Sequence, residues 1–157
     1  MRLTVNGKAQ TVDAEDGDLL VDVLRDKLGL TSPKKSCGFQ VCGACTVLVD
    51  SVSVSSCCYL AGDALTAEVQ TVEGFVDEPL FADMLEVFAK HNAFQCGYCA
   101  PGFVMTLKPL LVRGALRSLD DVLRELAGNI CRCTGYKPIV AAVCELAGIA
   151  AEDGDRR

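Results

Sequence analysis

No run of the sequence reaches the roughly 20 apolar residues that a membrane-spanning helix requires, so no such helix is expected. There is no G-x-G-x-x-G, no phosphate-binding loop and no basic groove, which leaves the chain without its own means of holding a flavin or a dinucleotide. Basic residues are in the minority, 15 Lys and Arg against 21 Asp and Glu for a net charge of −6, and that balance argues against a nucleic-acid partner. Histidine occurs once, at His91, whereas a Rieske centre takes two. The opening residues MRLTVNGKAQTV contain no charged leader followed by an apolar run and read as a first strand. A cytoplasmic chain with reduced cysteines is therefore expected.

Cysteine is what the sequence has in excess, with 10 in 157 residues. Half of the residues are hydrophobic, enough for one large domain or two small ones to bury a core. Up to about residue 73 the signals are those of strands. LTVNGKAQTV reads as a hairpin around Asn6-Gly7, and TVLVDSVSVSS as a second hairpin turning at Asp50-Ser51. Between them Leu20, Val23 and Leu24 share a helical face that Gly29 ends. A last strand is expected near EVQTV, and VEGFVDEP is the candidate linker.

From about Leu80 the apolar period becomes helical. The spacing predicts a first helix with Phe81, Met84, Leu85 and Phe88 on one buried stripe. A second starts at Pro101, with Phe103, Leu107, Leu110 and Leu111 facing inward and a kink or break near Lys108, because Pro109 removes a hydrogen bond. A third is capped by Ser118 with Asp121, carries Leu119, Val122, Leu123 and Leu126, and is closed by Gly128. A fourth opens at Pro138 with Val140, Val143, Cys144 and Ala147, and AAEDGDRR reads as a frayed tail.

Eight of the cysteines fall into two sets. Cys37, Cys42, Cys45 and Cys57 are spaced C-x4-C-x2-C-x11-C, and the first three match the loop of plant-type [2Fe-2S] ferredoxins, whose fourth ligand comes from a later strand. Small residues there (Gly38, Gly43 and Ala44) would let backbone N–H groups reach the sulfurs. A zinc knot or a redox dithiol is the alternative. Cys96, Cys99, Cys131 and Cys133 give C-x2-C-x31-C-x-C, both pairs lying in turns before proline-led helices. Covalent haem would need a histidine where Ala100 stands. Cys58 follows Cys57 in an expected strand and should point to the opposite face as a core residue, as should Cys144 on the last helix. His91 is expected as a helix C-terminal or surface cation rather than a ligand, and Lys34 and Lys35 as solvated.

The strings CGACTVLVD, QCGYCAPGFVM and NICRCTGYKPI together resemble the small iron–sulfur subunits of the molybdenum hydroxylases, the xanthine oxidase and carbon monoxide dehydrogenase family. The resemblance runs from about Leu3 to Leu146. It implies an α+β chain: an N-terminal β-grasp, plant-type ferredoxin-like domain over residues 1–77, then an all-α, four-helix [2Fe-2S]-binding domain over 78–157. It implies two [2Fe-2S] clusters in this chain, with molybdopterin on a large partner subunit and FAD on a medium one, in a dimer of heterotrimers. Gln95 and Cys133 match positions that touch the pterin, and Gly43 lies on the loop facing the flavin. The implied function is electron transfer within an oxidoreductase. A free-standing ferredoxin and a zinc-binding interaction module are the competing readings. CGFQVCGAC in place of a loop richer in Gly and Glu, CAPG in place of CTPG, and the helix proline are departures, none of which removes a cysteine.

Overall fold

A computed structural model of the chain describes residues 1–150. Strands β1 (Arg2–Val5) and β2 (Lys8–Thr11) form the first hairpin, and β3 (Thr46–Val49) and β4 (Val52–Ser55) the second. Both turns take left-handed backbone at their two central residues: φ is 53° and 72° at Asn6 and Gly7, and 48° and 65° at Asp50 and Ser51. That conformation matches the right-handed twist of the flanking strands. β5 (Glu68–Gln70) completes a sheet of order β2-β1-β5-β3-β4, in which β1 and β5 run parallel. Helix α1 (Leu20–Asp22) widens into a π-turn over Val23–Lys27, closed by Leu28 N–H donating to the Val23 carbonyl at 3.1 Å, and Gly29 follows with a φ of 70°. Leu20, Val23 and Leu24 pack on Leu3, Val5, Val47, Val49 and Val69 as the first core.

The second half folds as α2 (Pro79–Lys90), α3 (Ala100–Val112), α4 (Leu119–Leu126) and α5 (Lys137–Leu146). Phe88, Phe103, Leu107, Ile139 and Val143 are at the centre of their common core. The buried face of α2 is rotated from the expected one. Leu80, Phe81, Met84, Val87 and Phe88 turn inward or lie at its edge, while Leu85 is 43% exposed. Leu123 of α4 likewise faces solvent. The Ser118 cap forms as expected, its Oγ accepting from Asp121 N–H at 3.1 Å, but α4 closes at Ala127 and Gly128 is left to the following loop. His91 caps α2 and, with Lys90, pairs with Glu145 of α5 at 2.7 Å, a surface contact rather than a ligand. Residues 151–157, the greater part of the expected tail, lie outside the described residues.

The segment expected to link the halves is part of the core. Phe75 is completely buried, stacked edge-on with Phe81 at 5.3 Å, and the Lys108 ammonium sits 4.2 Å above its ring. Lys108 itself is only 9% exposed and donates to Gln70 Oε1 at 2.8 Å and to Glu78 Oε1, so the buried cation is both hydrogen-bonded and ion-paired.

All four residues of β3 are buried because the sheet is covered on both sides there. Val47 and Val49 face the first core, and Leu48 belongs to the helical core. Of the kink or break expected near Lys108, the break does not occur, and α3 runs unbroken to Val112. Proline removes the N–H that would satisfy the carbonyl four residues earlier, which is that of Met105. The Ser53 hydroxyl on β4 donates to that carbonyl at 3.2 Å instead. The helix is repaired from the neighbouring sheet.

The two halves meet most closely at three glycines. A Cβ on Gly43 would come within 2.5 Å of the Gly128 carbonyl and the Asn129 amide, and a Cβ on Gly102 would collide with the Gly43 carbonyl. Asn129 Nδ2 donates to the Gly43 carbonyl at 3.4 Å, and Ile130 N–H donates to the Cys42 carbonyl at 2.9 Å.

Two outcomes are expected from denaturant titration of the holoprotein. Ser53→Ala leaves the Met105 carbonyl unpartnered and costs about 1 kcal/mol, whereas the same change in a Pro109→Ala background costs clearly less, since an alanine in place of the proline restores the missing donor. Gly102→Ala overpacks the junction and costs about 1–3 kcal/mol, against the roughly 1 kcal/mol that an alanine normally gains over glycine inside a helix.

Candidate metal centres

The first cysteine loop is built to surround a sulfur with amide hydrogens. Gly38 and Gln40 both take positive φ, 71° and 60°. Between and after them Phe39 N–H and Val41 N–H point at Cys37 Sγ at 3.4 and 3.5 Å. Backbone donation from Phe39, Val41 and Cys42 pulls the Cys37 thiol down to about 6, so this position favours a thiolate. Cys45 lies opposite, in contact with Cys57, and both are packed under Val21. Burial pushes the Cys45 thiol up to about 11. Ser56 fixes this inner pair by donating its hydroxyl to the Cys45 carbonyl at 2.6 Å. Metal binding here must expel protons from the inner pair.

The helical site repeats the division with different connectivity. Cys96 and Cys133 are exposed with their sulfurs 3.5 Å apart, while Cys99 and Cys131 pair further in. Each pair thus takes one cysteine from each of the two expected motifs. Burial, then the neighbouring Cys131, pushes Cys99 up to about 12. Burial raises Cys131 too, but hydrogen bonds from the Thr134 hydroxyl, at 3.2 Å, and from backbone N–H groups outweigh it and hold that thiol below its ordinary value. Tyr136 takes a left-handed φ of 66° at the start of α5, and its hydroxyl accepts from Cys131 N–H at 3.1 Å. Nothing in the cysteine spacing points to Tyr136, Ser56 or Val21 as parts of these sites. The glycine before Tyr136 is the one local sign of an unusual turn.

Among the described residues, no three Cys, His, Asp or Glu side chains converge on a single ion position. The eight thiols gather as pairs, an inner, more buried pair and an outer, more exposed pair at each site. A two-iron cluster with two thiolates on each iron asks for this arrangement, and the donor set fits it. The sites adjoin: Cys42 of the first lines the same cavity of about 240 Å³ as Cys96, Cys99, Cys131 and Cys133 of the second.

The remaining expectations need revision or placing. Cys58 is not in a strand and not in the core. It ends a 3-10 turn, Ser56–Cys58, where successive side chains do not alternate between faces, and it is exposed with Sγ 3.8 Å from that of Cys57. Cys144 is fully buried as expected. Gly43 lies on the loop expected to face the flavin but is not itself at its surface. It is buried at the junction with the helical half, and the exposed tip of its loop is Phe39 to Val41, with Phe39 80% exposed. Gln95 is exposed beside Cys96. Lys35 pairs with Asp22 at 2.6 Å and Lys34 donates to the Thr31 carbonyl, both at the surface.

Comparison with known proteins agrees with this geometry. Residues 3–72 match the 2Fe-2S iron-sulfur cluster binding domain, and residues 71–144 match the [2Fe-2S] binding domain. The chain is 39% identical over 143 residues to the nicotinate dehydrogenase small FeS subunit of Eubacterium barkeri, covering 91% of each. It is 40% identical over 144 residues to the xanthine dehydrogenase iron-sulfur-binding subunit of Escherichia coli O157:H7, covering 90% of each. A chain of quinoline 2-oxidoreductase from Pseudomonas putida 86 superposes with a TM-score of 0.86 at 37% identity over 94% of both chains. The aldehyde oxidoreductase of Desulfovibrio desulfuricans gives 0.84 at 43% identity, over 94% of this chain and 17% of that one. With two cysteine sites on a sheet-then-helices frame and relatives spanning nearly its whole length, the chain belongs to the family of small iron–sulfur subunits of the molybdenum hydroxylases.

Proposed function

We propose that this chain is the electron-transfer subunit of a molybdenum-containing hydroxylase or dehydrogenase, carrying electrons singly from a molybdopterin centre on a large subunit to FAD on a medium subunit. Iron–sulfur clusters are its own equipment, as its two domains are of cluster-binding families. We assign the ligands of one [2Fe-2S] cluster to Cys37, Cys42, Cys45 and Cys57, and of the other to Cys96, Cys99, Cys131 and Cys133. Residues 1–77 and 78–157 are taken as the two domains, the complex as a dimer of heterotrimers. A cytoplasmic location is supported by ten unpaired cysteines, and among the described residues no helix is long and apolar enough to cross a membrane.

One observation carries the reading. The loop holding Cys42 and the loop holding Cys131 are joined by the 2.9 Å hydrogen bond from Ile130 N–H to the Cys42 carbonyl. A cluster bound at each site supplies a centre that accepts and releases one electron. The residues of this chain supply the rest. Backbone and the hydrogen bond from Ile130 to Cys42 connect the two sites across a junction with no room for a side chain at Gly43 or Gly102. The exposed Cys133 and Gln95 present the helical site to the pterin side, and the exposed Phe39–Val41 tip presents the first site to the flavin side. No substrate-binding role is assigned to this chain; substrate is taken by the large subunit.

Metal analysis of the purified holoprotein should give about four iron and about four acid-labile sulfide per chain. Cys42→Ser should remove one cluster signal in electron paramagnetic resonance, while Cys58→Ser and Cys144→Ser keep both. A value near two iron in fully loaded wild-type protein would show that one ligand set is wrong.

The direction of flow is tested in the intact complex by rapid mixing with substrate and freeze-quenching. Changing Cys133 should leave molybdenum reducible but cut reduction of the first cluster and of flavin, with pterin loading measured in parallel. Changing Cys45 should leave molybdenum and the helical-site cluster reducible while flavin stays oxidised. Normal flavin reduction in a Cys45 variant shown to lack its cluster would overturn the relay.

A further inference from the structure

Five thiols, not four, surround the first site. Cys58 ends the Ser56–Cys58 turn with its sulfur 3.8 Å from Cys57 Sγ and 3.6 Å from the carbonyl of Gly38, the residue that follows Cys37. Two thiolates bound to one tetrahedral metal at about 2.3 Å stand about 3.8 Å apart. The Cys57–Cys58 separation therefore has the length of one edge of such a tetrahedron. It is comparable to the 3.5 Å between Cys96 and Cys133, a pair assigned above to one cluster. The helical site has no such spare. Its remaining cysteine, Cys144, is sealed in the core of α5.

We propose that Cys58 is a reserve ligand of the first cluster, able to take the place of Cys57 on the same iron. This rests on the ligand assignment made above. Cys57 is 3% exposed and held under Val21, whereas Cys58 lies on the open side of the site. A small rotation of the turn brings one sulfur toward the position of the other without opening the core. The exchange is balanced. Where Cys57 is replaced, its bond to iron is absent; in the wild-type chain that bond would break and the released Cys57 thiolate take up a proton, while the Cys58 thiol gives its proton to solvent and its sulfur donates an electron pair to the same iron. One thiolate replaces another, so the cluster keeps its charge and oxidation state and no oxidant is required. The backbone donors on Cys37 are untouched, because they come from Phe39 and Val41.

The test compares Cys45→Ala, Cys57→Ala and Cys57→Ala/Cys58→Ala in the holoprotein by iron content and by paramagnetic resonance of the reduced state. Cys45→Ala should fall to about two iron per chain, Cys57→Ala should stay near four with a changed signal from the first cluster, and the double variant should fall to about two. The helical-site signal reports that each variant is folded. Cys57→Val, which keeps more of the buried volume, repeats the experiment should the alanine variant lose both signals. A Cys57 variant that loses the first cluster as fully as Cys45→Ala overturns the proposal, as does the loss of both clusters from both Cys57 variants. A double variant that keeps about four iron also overturns it, because the replacement ligand is then not Cys58. Retention of about four iron by Cys45→Ala would instead refute the ligand assignment itself.

Discussion

Backbone against backbone at Gly43, Gly102 and Gly128 is the constraint on which the arrangement of this molecule depends. A side chain at Gly43 or Gly102 would push the first cysteine loop away from the start of α3 and from the turn before Cys131. The hydrogen bond from Ile130 to Cys42 needs that proximity, and so does the cavity shared by the two thiol sets. Electron transfer over protein distances weakens steeply with separation, so a relay places its strictest demand on spacing. Here the absence of Cβ atoms permits the spacing that the hydrogen bonds from Ile130 and Asn129 then hold.

Within each site the same logic of inside and outside recurs. Burial pushes the Cys45 and Cys99 thiols up, so metal binds there only as protons leave, while amide donors draw Cys37 toward thiolate and the Thr134 hydroxyl and backbone donors do the same for the buried Cys131. The inner pairs lie against the core, beside Val21 in one half and among the neighbours of the buried Cys131 in the other. The outer pairs leave an edge toward whatever docks there. The substrate names carried by the relatives vary, from nicotinate to xanthine to quinoline. A chain concerned only with spacing and potential has no reason to vary with them.

Much of this is legible in the sequence, and for identifiable reasons. Hairpins at Asn6-Gly7 and Asp50-Ser51 are local, because positive φ at two adjacent residues is a property of the turn itself. The Ser118 cap and the two cysteine sets are readable from spacing alone. What escapes is non-local. The intact α3 depends on a serine far upstream of its proline, Ser53 against Pro109, and no helix rule anticipates that repair. The apparent linker is core because Phe75 finds Phe81 and Lys108, neither of which marks it in the sequence. Cys58 defies strand alternation because the residues from Ser56 onward have already left the sheet. At Gly43 the crowding against Gly128 and Asn129 comes from the far half of the chain and is not legible in the cysteine spacing.

The strand β3 has a further meaning for how such a chain can be inherited. Its Val47 and Val49 lie on one core and its Leu48 on the other, so neither half presents a finished surface where they meet. A ferredoxin-like half cut loose would uncover Leu48 and the junction glycines, and a helical half cut loose would leave Met105 without its serine. The two halves resemble modules that can be shuffled separately, yet their shared strand makes the pair the smallest unit that evolution can duplicate, fuse to a larger chain or lend to a new complex.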